Sequence, residues 1–127
     1  MIDSKMTTLA VKIILEYVLT PVIYMLGDDY EVNFICFCDR DIEEEVLVKT
    51  ETQLHLLFNR KVEILDIRSF DVSDRLEIIK QAEMIHSENT LIQQIFELSM
   101  IQDFKKEHQK KQDMLQRKKE CSSMYLQ

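Results

Sequence analysis

The chain has 127 residues, enough for one domain with a proper buried core. An apolar fraction of 46% beside 31% charged residues describes a globular chain, and no apolar run is long enough to span a bilayer. A net charge of -7 argues against a protein built mainly to hold nucleic acid.

That charge is uneven. Residues 105–120, KKEHQKKQDMLQRKKE, set seven Lys or Arg against three acids, a balance of +4, so the rest of the chain carries -11. Such asymmetry fits an interaction tail or a solvated helix end. The start, MIDSKMTTLA, lacks the basic region and long apolar stretch of a secretory signal, so a cytoplasmic protein without membrane contact is expected. Three cysteines, Cys36, Cys38 and Cys121, are an odd number and argue against a disulfide framework. In a strand, Cys36 and Cys38 share a face, which suits small core residues. No second Cys or His pair has the spacing of a metal site.

In chain order, apolar residues at 6, 9, 10, 13, 14, 17 and 18 predict a first helix over about 5–18. Pro21 forbids its continuation. Pro21 and Gly27, the only Pro and Gly, frame VIYML as a short strand. VNFICFC is strand-like and apolar on both faces, as a central strand covered on both sides would be. The segment from Asp39 to Arg60 reads as a helix, with Asp39 or Asp41 as its cap and Glu43, Glu44 and Glu45 at the positive end of its dipole. Leu47, Leu54, Leu57 and Phe58 supply its buried side, and Asn59 ends it. KVEILDI, 61–67, is a third strand. SFDVSDRLEIIKQA is a helix capped by Ser73 or Asp71, and EMIHSE a short edge strand. One long helix starts near residue 89, and its apolar stripe fades after Phe104.

This order predicts an α/β (α+β) fold: a mixed sheet of three to four strands packed with helices, and a long C-terminal helix. Residues 1–108 form the domain, and 109–127 a polar, basic helical extension or tail. On the second strand Glu31 and Asn33 share a face. If the third strand is its neighbour, Glu63 converges with them, and Asp66 points to the opposite face. Such oxygen donors suit Mg²⁺, which binds through one or two carboxylates and substrate phosphates. Ordinary polar residues at strand ends would give the same spacing. The neutral amide of Asn33 removes a charge that a divalent ion needs. Among nucleophile and phosphate motifs nothing stands out: His55, His86 and His108 are scattered, and one glycine cannot build a phosphate loop.

With its flanking segments the chain resembles the minimal nucleotidyltransferase (MNT) domains of the polymerase-beta-like superfamily, over roughly residues 5–108. VIYMLG resembles the family's strand into a Gly-Ser turn. YEVNFICF stands where Asp-x-Asp opens the next strand, and LLFNRKVEILDI resembles the Gly-Arg-Lys-like turn and the strand after it. RLEIIKQAEMIHSEN and IFELSMIQDFKKEHQK resemble the family's later helix, short strand and closing helix.

The resemblance implies that Glu31 and Asn33 match the two metal-binding aspartates, and Glu63 the third carboxylate. It also implies that Gly27 lets backbone amides approach the nucleotide phosphates. Departures fall on the same chemistry. Asp28 puts an anion in the serine's place, Asn33 has lost a charge, and three residues separate Gly27 from Glu31 where the family has a longer loop.

The implied function is a degenerate nucleotidyltransferase-like protein acting by protein binding, for example as antitoxin to a HEPN-domain toxin. The alternative is an active enzyme, in which Glu31 and Glu63 hold Mg²⁺ and a nucleotidyl group passes from an NTP to a protein or small-molecule acceptor. The apolar face of the long helix also leads us to expect a homodimer.

Overall fold

The computed structural model describes residues 3–38 and 40–125, with side chains up to residue 118. Helix α1 (Ser4–Tyr17) opens on Asp3, whose carboxylate accepts the Met6 N–H at 2.9 Å. Strands β1 (Val22–Gly27) and β2 (Glu31–Cys36) follow, then helix α2 (Glu44–Phe58) and strand β3 (Lys61–Asp66). A 3-10 turn (Ile67–Ser69) leads into helix α3 (Val72–Gln81), strand β4 (Glu83–Ser87) and helix α4 (Thr90–Tyr125).

The sheet order is β3-β2-β1-β4. β1 and β2 form an antiparallel hairpin, while β2 and β3 run parallel because α2 crosses over between them. β4 pairs antiparallel with β1 at the other edge. This is the expected mixed α+β sheet with a long closing helix.

β2 lies inside the sheet and is covered on both faces, as its two-sided apolar pattern required. Val32, Phe34 and Cys36 enter one core under α1 and α2, with Ile14, Leu54, Phe58, Val62 and Ile64. Ile35 enters the other, with Val22, Tyr24, Phe37, Ile67 and Met100, beneath α3 and α4. The rings of Phe34 and Phe58 lie 5.7 Å apart, and those of Phe37 and Phe96 4.8 Å apart. A hydrogen bond from the Tyr24 hydroxyl to Glu97 Oε1, 2.7 Å long, ties α4 to the sheet. Burial, then this bond and the charge of Glu97, push the Tyr24 hydroxyl pKa up.

Several local expectations are corrected. Asp41 does not cap α2: Glu43 is the N-cap, without a side-chain cap bond, and Asp41 instead faces Arg68 at 3.5 Å. Asp39, the other candidate cap, lies outside the described residues. Asp71 rather than Ser73 is the N-cap of α3, also without a side-chain cap bond. Phe37, Cys38 and Ile67 fall just beyond their strands. Asn59 does end α2, in the left-handed conformation (φ 52°) that asparagine tolerates. Cys36 and Cys38 are buried core residues, and the side chain of Cys121 lies outside the described set. The Cys36 thiol pKa is pushed up, first by its hydrogen bond to Cys38 and then by burial.

Candidate functional site

Because Val32 and Phe34 face α1 and α2, Glu31 and Asn33 must face the other side of the sheet. On β3, Val62 and Ile64 join the same core, so Lys61 and Glu63 share a face with Glu31 and Asn33. The parallel register sets Glu31 beside Lys61 and Asn33 beside Glu63. On the β1 side Asn33 is paired with Leu26. Glu31, Asn33 and Glu63 are thus brought together, half-buried, at the start of β2, away from the end that α4 covers.

The donors do not make a metal cage. Lys61 Nζ lies 3.1 Å from Glu63 Oε1. The ammonium is held above its usual pKa, first by that bond, next by the charge of Glu63, and then by that of Glu31. Asn33 Oδ1 is buried without a hydrogen-bond partner. Asp66, on the opposite face, is bound by Arg68 at 2.6 Å and belongs to another cluster. Among the described residues, no three His, Cys, Asp or Glu side chains gather where they could hold a metal ion. Two glutamates, one already paired, and a neutral amide do not fit a divalent centre.

The turn before β2 is equally engaged. Asp28 Oδ1 accepts the N–H groups of Tyr30 at 2.8 Å and of Glu31 at 2.9 Å. These two bonds, Tyr30's first, with help from the charge of Arg60, hold the Asp28 carboxyl below the usual carboxylate range. The Asp28 N–H in turn donates to the Glu31 carbonyl at 2.9 Å. The turn's amides therefore point at the chain's own carboxylate and carbonyl, where a phosphate would need them free. Gly27 serves close approach: a Cβ there would lie 3.1 Å from the Glu31 carbonyl oxygen.

Two grooves open at the far end of β2. One, of about 550 Å³, lies between the end of α1 and the start of α2, lined by Tyr17, Leu19, Cys38, Ile42 and Val46 among others. The other, of about 180 Å³, is walled by Phe37, Ile67, Phe96 and Met100. Neither is lined by Glu31, Asn33 or Glu63.

The sequence reading placed Glu31, Asn33 and Glu63 on one patch but missed Lys61 as their fourth member. Its signal was there: Lys61 is two residues before Glu63, so it shares that strand face. The reading also took Asp28 as an intruder among phosphates, and missed that it uses up the turn's own donors.

No described helix is long and apolar enough to cross a membrane. No protein-family model matches the chain, and no curated protein matches it. Solved structures do. A chain of the MntA-HepT toxin-antitoxin crystal structure superposes with a TM-score of 0.74 at 11% identity, covering 90% of this chain and 97% of that one. A toxin-antitoxin structure with AMP-PNP gives 0.71 at 10% identity, over 91% and 97%. The complex of a tri-AMPylated Shewanella oneidensis HEPN toxin with MNT antitoxin gives 0.73 at 11%, over 90% and 97%. With nine-tenths of its length superposed at these scores, the chain has the MNT nucleotidyltransferase-like fold.

Proposed function

We propose that this chain is a cytoplasmic antitoxin-like protein that acts by binding a HEPN-domain toxin, and that it does not transfer nucleotides. The observation that carries the reading is the engagement of both halves of the ancestral site: Lys61 on Glu63, and Asp28 on the amides of Tyr30 and Glu31. The structural neighbours that are toxin-antitoxin complexes supply the class of partner.

Contact runs along α4 in this reading. Leu91, Ile95 and Leu98 sit at positions i, i+4 and i+7, on the side away from Phe96 and Met100, and are 62%, 56% and 57% exposed. Three large apolar residues in one row on an exposed helix suit a partner surface. The acidic body adds complementarity to a basic partner.

Co-expression with a HEPN-domain protein encoded beside this chain tests the proposal. The two copurify in the wild type, and Ile95→Asp with Leu98→Asp weakens the complex at least tenfold while the melting curve stays in place. A chain recovered alone at native levels contradicts the reading.

One observation favours the second reading, an active Mg²⁺-dependent nucleotidyltransferase: the Asn33 Oδ1 is buried and unpartnered, an oxygen that a cation could use. A structural neighbour with bound AMP-PNP keeps that reading in play. Calorimetric titration with ATP and GTP in Mg²⁺ or Mn²⁺ separates the two. No heat supports the binder. Metal-dependent heat that Glu31→Gln and Glu63→Gln abolish supports the enzyme.

A further inference from the structure

We propose that the carboxylate pair on β2 and β3 is closed by a resident cation of the chain's own, the ammonium of Lys61, and that this ammonium keeps divalent metal out. Glu31 with Lys61, and Asn33 with Glu63, form two adjacent cross-strand pairs on one face. Neighbours of this kind lie close enough for long side chains to meet. Within that square of four residues there are two carboxylates, one ammonium and one neutral amide. The charge left for an incoming ion is a single negative unit.

The ammonium is seated on Glu63 at 3.1 Å and also feels Glu31. A divalent ion bridging the two glutamates must therefore displace a bonded cation, or accept it as a like charge a few ångströms away. Lys61 lies in the stretch that carries the family resemblance. The particular feature here is Asn33, which leaves one lysine to balance two glutamates with no third carboxylate to hold a metal against it. One of the two carboxylate charges is thus already balanced before any ligand arrives. The same logic holds in the turn before β2, where the Asp28 carboxylate occupies the amides of Tyr30 and Glu31.

The test uses Mn²⁺ alone, titrated into the full chain, with the free ion read from its paramagnetic resonance signal. Lys61→Met and Lys61→Gln each bind Mn²⁺ roughly three- to tenfold more tightly than the wild type, the range expected for removing one exposed charge beside a divalent ion. The gain disappears when Lys61→Met is combined with Glu63→Gln. Unchanged Mn²⁺ affinity in both Lys61 variants overturns the inference, and so does a gain that survives the loss of Glu63. Lys61 is exposed, so the variants keep the fold, which circular dichroism verifies. The outcome is independent of the partner: a failed Mn²⁺ gain leaves toxin binding standing, and failed toxin binding leaves the Mn²⁺ result standing.

Discussion

At its start β2 carries Glu31 and Asn33 on a half-open face, paired with Lys61 and Glu63 across the sheet. Three residues later the same strand buries Phe34, Ile35 and Cys36 almost completely, between helices on both sides. The buried end is fixed by packing: a tilted ring contact of Phe34 with Phe58, a second apolar cluster under α4, and the Tyr24 bond to Glu97. The open end is held by charges that satisfy one another. Removing a functional ligand from the open end would leave the strand in place, because the packing that positions it lies elsewhere. That division lets side chains at the open end change without moving the strand that carries them.

The comparison is broken most severely by Phe34→Ala. It removes a fully buried ring and costs about 3–5 kcal/mol in denaturant unfolding. A cost near that of a surface substitution would mean the two ends are not energetically distinct. Tyr24→Phe comes next, at about 1–2 kcal/mol, since Glu97 loses one of its two donors in a part-buried setting and keeps Gln93. At the open end, Asn33→Val removes an oxygen without a partner and adds a β-branched residue to a central strand. Stability holds or rises by up to about 1 kcal/mol, and a clear loss in the same unfolding experiment would assign Asn33 a structural partner.

The smallest effect is on pH. The Asp28 carboxyl is lowered from its ordinary value of 3.8, so its hold on the turn is present at neutral pH and fades as the pH falls through that lowered value. Amide exchange at Tyr30 and Glu31, corrected for the intrinsic pH dependence, quickens there, while the amides of Phe34 and Ile35 stay protected. Parallel changes at both places would erase the distinction between the ends.

How much of this was legible follows from which physics each part uses. The run VNFICFC, apolar on both faces, pointed to a central strand, and Pro21 with Gly27 to the hairpin's first arm. Those are local patterns. The convergence of Glu31, Asn33 and Glu63 was legible only conditionally, because it needed β3 beside β2, and the parallel register that α2's crossover produces supplies it. Half of Lys61's role was legible locally, since it stands two residues before its ion-pair partner Glu63; its place beside Glu31, thirty positions away, belongs to the sheet and not to the segment. The missed cap of α2 has another cause. Asp41 had a competitor for its carboxylate, Arg68, that local sequence does not announce.

Helix α4 carries one more consequence. Its 36 residues, at about 1.5 Å of rise each, reach about 54 Å, whereas a compact chain of this length has a radius of gyration near 14 Å. A body with such a spar tumbles and diffuses more slowly than a sphere of equal mass. In a sizing column a single copy would elute early, at the position of a larger globular protein. The question of self-association therefore belongs to light scattering or sedimentation equilibrium, which weigh the particle instead of measuring its reach.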